Sequence, residues 1–234
     1  MKRKLIILIF AIISSCSYTI AQAGKNYPQF DRRKMHFGFS LGMNFADFNY
    51  NYFPGFYNQD TIVNVNVNRI PGFNLGIVSS WDIHETFHIR FIPYLSFQER
   101  EFQYQTLRNG LLITETDRLE STNLDFPLML KLRTKRINNF AAYGLTGIQY
   151  SLDLASDIDV AVNAGDRIIK MQRHDFSTQF GGGFDFFMVY YKFAIEVKLS
   201  NGFKNLRIDD GSYFSSPLTS LKSKVWWFTI TFEG

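Results

Sequence analysis

Residues 35–45 read Met35-His36-Phe37-Gly38-Phe39-Ser40-Leu41-Gly42-Met43-Asn44-Phe45. Successive side chains of a β-strand point to opposite faces. Read as a strand, this stretch puts Phe37, Phe39, Leu41, Met43 and Phe45 on one face. Gly38, Ser40, Gly42 and Asn44 take the other. One face is fully apolar and aromatic-rich, and the other is small and polar.

The same alternation recurs along the chain. A second strand is expected near 71–81, with Phe73, Leu75, Ile77 and Trp81 on one face. A third begins at Phe87 and carries Ile89, Phe91, Leu95 and Phe97, interrupted by Pro93, which cannot donate to a ladder. A fourth ends in 123–133, where Leu124, Phe126, Leu128, Leu130 and Leu132 alternate with polar residues. A fifth, 140–154, is rich in Ala and Gly, and its phase is read with Tyr143 and Leu145 outward. The sixth spans 174–187, the seventh 192–200, and the eighth closes the chain with Trp226, Phe228, Ile230 and Phe232.

Eight strands imply an antiparallel barrel. Connections near 46–70, 101–120, 155–173 and 201–223 are long, whereas 82–86, 134–139 and 188–191 are short. Outer-membrane barrels alternate long extracellular loops with short periplasmic turns. The expectation is an all-β, eight-stranded antiparallel transmembrane barrel in the outer membrane of a Gram-negative bacterium, with both termini periplasmic. An interior of this strand number is just wide enough for side chains to fill. A soluble calyx would bury the Phe-rich face instead. The apolar runs match the about 9–11 residues a tilted spanning strand needs, and aromatics at strand ends (Trp81, Phe87, Tyr191, Trp226) resemble interfacial girdles.

The N-terminus supports export. Lys2, Arg3 and Lys4 precede a short apolar run from Leu5 to Ile13. Ala21-Gln22-Ala23 is a small-x-small cleavage pattern, which predicts a signal peptide over 1–23 and cutting between Ala23 and Gly24. Residues 24–34 are then a short periplasmic segment, and 35–234 the barrel. Cys16, the single cysteine, is a poorer lipobox and would leave with the signal. The chain holds 25 Lys+Arg against 21 Asp+Glu, and removing Lys2, Arg3 and Lys4 leaves 22 against 21. That balance gives no reason to expect nucleic acid.

The polar face carries Arg90, Arg100, Asp125, Lys131, Arg133, Asp185, Glu196 and Lys198. Buried charges need partners, so these eight are expected to form an ion-pair network that holds the lumen. Cations of the third, fourth and seventh strands should meet Asp125, Asp185 and Glu196. An aromatic cluster, Phe48, Tyr50, Tyr52, Phe53, Phe56 and Tyr57, is read as a loop contact patch.

Chemistry is harder to find. His174 and Ser177 are three apart, on opposite faces of a strand. His88 and Ser96 share a face but lie roughly 26 Å apart. Gly38-Phe39-Ser40-Leu41-Gly42 has the Gly-x-Ser-x-Gly spacing but lies inside a strand and not at a strand-to-helix elbow. His84-Glu85-Thr86-Phe87-His88 has the His-Glu-x-x-His spacing but falls across a turn and the start of a strand and not on a helix, where that metal spacing belongs. Gly181-Gly182-Gly183 lies in the sixth strand and does not lead into a helix, so close packing of the wall explains it better than phosphate binding. No catalytic residue, cofactor, metal or small-molecule substrate is expected, and the foreseen partners are outer-membrane lipid and other proteins.

The segment Leu124-Asp125-Phe126-Pro127-Leu128-Met129-Leu130-Lys131-Leu132 resembles a signature strand of a bacterial outer-membrane barrel family, with Pro-Leu in mid-strand followed by Lys. Residues 179–185 and 196–206 resemble it too, and the likeness spans essentially the exported chain. Within that family the chain is most similar to the PorT type. The resemblance implies a non-enzymatic accessory of type IX secretion, and of gliding motility where that occurs, with secretion proteins as partners. Two other expectations stay open: a surface adhesin or envelope-stabilising barrel, and a lipid-modifying hydrolase with a Ser–His pair near the outer rim.

Overall fold

The structure, a computed structural model, describes residues 25–52, 62–108, 111–155, 171–208 and 218–234. The expected cleavage site at Ala23 and Gly24 lies outside these residues.

Among the described residues nine strands make the wall: β1 (Met35–Tyr52), β2 (Ile62–Asp82), β3 (Phe87–Phe91), β4 (Tyr94–Arg108), β5 (Leu111–Arg133), β6 (Phe140–Asp153), β7 (His174–Phe187), β8 (Lys192–Gly202) and β9 (Leu218–Glu233). β3 and β4 are two halves of one stave, parted at Ile92-Pro93, and both pair with β2 and β5. Pro93 lends no N–H to the ladder, although its carbonyl accepts from Ile77 N at 3.0 Å. Every pairing is antiparallel. β1 joins both β2 and β9, which closes an eight-stave ring.

The closed ring leaves no open edge to lipid. Phe37, Phe39, Leu41 and Met43 of β1 face out, about half exposed, beside Leu75 and Ile77 of β2 and Phe228 and Ile230 of β9. Their alternates His36, Ser40 and Asn44 are buried in the lumen.

β6 runs in the opposite phase to the one read from sequence. Tyr143 and Leu145 are buried in the lumen, and Phe140, Thr146 and Ile148 face out. Small residues occupy both faces of this strand, so hydropathy alone could not set the phase. Register across β7 decides it: Tyr143 lies opposite Gly183, whose missing side chain leaves room for the phenol.

The expected loops at 46–70 and 101–120 prove to be mostly wall. The reason is a reversal of polarity along unbroken strands. On β4, the outward positions pass from Leu95 and Phe97 to Glu99, Glu101 and Gln103, while the inward ones pass from Ser96, Gln98 and Arg100 to Phe102 and Tyr104. On β1 the outward face changes from Met43 and Phe45 to Asp47, Asn49 and Asn51, and the inward face from Ser40 and Asn44 to Ala46, Phe48, Tyr50 and Tyr52. Below the change the wall is solvated by lipid. Above it the wall is built like a soluble sheet, polar outside and apolar within. Asn68 and Gln103 donate to the outward Glu101, and these bonds hold its carboxyl below the usual carboxylate range. β4 and β5 remain paired to Arg108 and Leu111, roughly 30 Å along the strand beyond the lipid-facing part.

Candidate functional site

The lumen is the most heavily charged interior in the chain. Near the short-turn end, Arg90, wholly buried, donates to Glu196 and, at 3.1 Å, to Glu233. Glu196 also accepts from the Tyr143 hydroxyl at 2.9 Å, and Lys198 Nζ lies 3.2 Å from its other oxygen, close in charge without hydrogen-bond alignment. Lys192 donates to Glu233 at 2.7 Å. Lys131 straddles both oxygens of Asp185, at 2.8 and 2.9 Å, and its ammonium lies 3.6 Å from the Tyr143 ring centroid. Four cations and three carboxylates thus interlock across β3, β5, β7, β8 and β9.

A neutral polar layer follows. Asp125 accepts from Ser96 at 2.6 Å and from Gln149 at 2.8 Å. It was expected to meet a cation, and it meets a hydroxyl and an amide instead. Register places Ser96 and Gln149 on its two neighbouring strands and carries the lysines lower. Tyr94, Gln179, Ser200 and Trp227 extend the layer: Gln179 donates to Ser200 at 3.0 Å, and Trp227 Nε1 donates to the same hydroxyl at 2.7 Å.

Arg100 stands above, bonded to Gln98 at 2.7 Å and placed 4.3 Å from the centroid of Phe48. It marks the boundary between the polar lumen and an upper core of Phe48, Val65, Phe102, Tyr104, Met171, Leu206, Leu218 and Leu221. The cavity at this boundary holds only about 40 Å³. The barrel is filled along its length, as its strand number requires.

The upper core corrects the aromatic contact patch. Phe48 belongs to β1 and is buried, and Tyr50 and Tyr52 pack against the same core, each donating its hydroxyl to Val65 O. Their alternation turns them inward once the outer face has become polar. Phe53, Phe56 and Tyr57 lie outside the described residues.

The eighth expected lumen charge, Arg133, belongs to a different cluster. It bonds Asp31 at 3.2 Å, as does Arg136 at 3.3 Å. Asp31 lies in a 3-10 turn, Phe30–Arg32, of the segment preceding β1. That segment crosses the short-turn mouth. Asn26 donates to Phe187 O at 3.2 Å, and Phe30 is buried, stacked on His36 at 3.7 Å between centroids and edge-on to Phe187. Lys192 lies 4.7 Å from the Phe30 ring centroid, so the crossing segment lids the charged layer.

Sequence reasoning missed Lys192, Glu233, Asp31, Tyr143 and Gln149. Lys192 and Glu233 share the parity of Glu196 and Thr231 and were reachable by extending the count to the strand ends. Asp31 carries no such signal. The histidines make other contacts: His36 and His88 bond Asp82 at 3.2 and 2.6 Å, and His174 bonds the Tyr150 hydroxyl at 2.8 Å on the outer face. Ser177 is buried on the opposite face, and among the described residues no His–Ser hydrogen bond occurs.

Among solved structures the chain is similar to Ail, the attachment invasion locus protein of Yersinia pestis, in complex with the heparin analogue sucrose octasulfate, with 15% identity, 86% of this chain and 100% of that one covered, and a TM-score of 0.38. It is similar to OprG from Pseudomonas aeruginosa, with 17% identity, 85% and 92% covered, and a TM-score of 0.42. Neisserial surface protein A aligns with 8% identity, 83% and 95% covered, and a TM-score of 0.43. No curated protein matches the chain significantly. The family described as outer membrane protein beta-barrel domain matches residues 20–207, most of the length. With a closed eight-stave ring, an apolar outer belt and a filled polar lumen already in view, the chain belongs to this outer-membrane β-barrel family.

Proposed function

We propose that this barrel is a non-enzymatic accessory of type IX protein secretion, of PorT type, with its long-loop end outside the cell and both termini in the periplasm. One observation carries the mechanical part of this reading: the lumen is sealed by the Arg90–Glu196–Glu233 network, lidded at one end by Phe30 and at the other by the upper core. A sealed barrel is no conduit for cargo, so it serves as an anchor that presents surfaces to other proteins. The assignment to secretion is supported by the sequence resemblance at 124–132, 179–185 and 196–206. Deleting the gene tests it. Cargo should accumulate inside the cell and return to the medium on complementation; undiminished export by the deletion strain sinks the proposal.

A second reading, a surface-binding barrel unrelated to secretion, is favoured by one feature. The tip of the β4–β5 hairpin exposes Leu107, Leu111, Leu112 and Ile113 far beyond the belt. Exposed apolar patches of this kind mark contact surfaces. Trimming this hairpin should then abolish binding to external surfaces while export continues.

A further inference from the structure

Positive charge is gathered at the short-turn mouth of the barrel. A cleft of about 490 Å³ opens at the short-turn mouth, between the crossing N-terminal segment and the turns after β2 and β5. Its lining holds seven Lys and Arg against Asp31, Asp82 and Glu85, a surplus of four. Residues 24–234 as a whole have a surplus of only one.

Two of those three carboxylates are already engaged. Asp31 is held by Arg133 and Arg136, and Asp82 by His36 and His88. By contrast Lys25, Arg32, Arg33, Lys34 and Lys135 are exposed, and none makes an ion pair among the described residues. The cleft is therefore lined by a preorganised base, Arg133 and Arg136 clamped on Asp31, and ringed by five free cations.

Its position narrows the partner. The N-terminal segment is tied to the β6–β7 end by Asn26, which bonds Asn139 at 2.8 Å, and to β2 by Lys34 O, which accepts from Asp82 N at 2.8 Å. It spans the mouth, so the cleft lies over the ring opening. The exposed apolar side chains of the neighbouring strand ends, Trp81 and Phe87, do not line it. Headgroups surround the outside of the ring. What reaches the mouth comes from the water phase. The seven cations come from two separate segments, residues 25–34 and 133–136, and a cleft of this size lined from both sides matches a row of carboxylates better than a single small anion. Complementary charge of this kind speeds and orients docking.

We propose that this cleft docks an acidic, extended peptide segment of a soluble partner protein, independently of whether the chain serves secretion. The test uses the purified barrel in phosphatidylcholine nanodiscs, with fluorescein-labelled octaglutamate and octaglutamine peptides read by anisotropy. Octaglutamate should bind, octaglutamine should not, and binding should weaken steeply as salt rises through the physiological range. The triple reversal Arg32→Glu, Arg33→Glu, Lys135→Glu should weaken octaglutamate by at least about tenfold while the barrel keeps its heat-modifiable mobility. Should that variant not fold, the milder pair Arg33→Gln and Lys135→Gln should still cost about threefold. Failure of octaglutamate to bind, or equal binding by the folded variants, overturns the proposal. So does native mass spectrometry showing phosphatidylglycerol held by the wild type, lost in the variant, with no peptide bound: the cleft is then a lipid site.

Discussion

Phe48 and Phe102 stack inside the barrel wall, ring centroids 5.8 Å apart and planes 26° from parallel. They come from β1 and β4, which are not neighbours in the ring, and they meet across its interior above the polar lumen. Their contact shows that the staves continue past the lipid belt as a water-solvated sheet with its own apolar core.

Removing one of these rings should loosen the extension and spare the membrane barrel. Phe102→Ala deletes a fully buried ring, worth about 3–5 kcal/mol locally. Limited proteolysis should cut new sites between 62–70 and 99–108, with heat-modifiable mobility on gels unchanged. Loss of that mobility would mean that the two cores fold as one.

The reversal along β1 predicts opposite tolerances on a single face. Leu41→Arg places a charge in the middle of the lipid-facing stretch and should cost about 2–4 kcal/mol. Asn49→Arg, on the same face of the same strand above the change, should fall within about 0.5 kcal/mol of wild type. Denaturant titration in lipid vesicles compares the two, and equal costs would show that the belt extends past Asp47.

Glu196 joins Arg90, Lys198 and Tyr143, whereas Asp125 meets only neutral donors among the described residues. Glu196→Gln leaves buried cations uncompensated and should cost about 3–5 kcal/mol. Asp125→Asn loses hydrogen bonds alone, about 1–3 kcal/mol. The order of their denaturation midpoints is the measurement, and a reversed order would unseat Glu196 as the centre of the network.

A side chain at Gly183 would stand 2.3 Å from Ile195 O and 2.7 Å from the Tyr143 hydroxyl. At Gly144 the nearest atom is 4.0 Å away. Gly183→Ala should therefore destabilise the barrel by about 1–3 kcal/mol through overpacking, and Gly144→Ala should be tolerated. Refolding yields into detergent, followed by mobility shift, report both. Equal yields would mean that the wall bends to make room.

The residues themselves disclosed the period-two alternation, the eight staves and the short turns at 82–86, 134–139 and 188–191, because lipid imposes one rule on every outward position. Phe37 to Phe45 obeys that rule and is legible without a fold. The inward face obeys no such rule. Its occupants are chosen by whatever lies opposite, and closure of the ring brings Arg90 to Glu196 and Glu233, 106 and 143 residues away. Likewise Tyr143 faces in because Gly183 makes room, and Phe48 is buried because Phe102 awaits it across the ring. Only the tertiary structure decided these pairings, since a strand's sequence records its environment face by face and not the identity of its neighbours. The opening alternation established where the wall meets lipid, and its continuation through Ala46 and Phe48 established, once folded, where lipid stops.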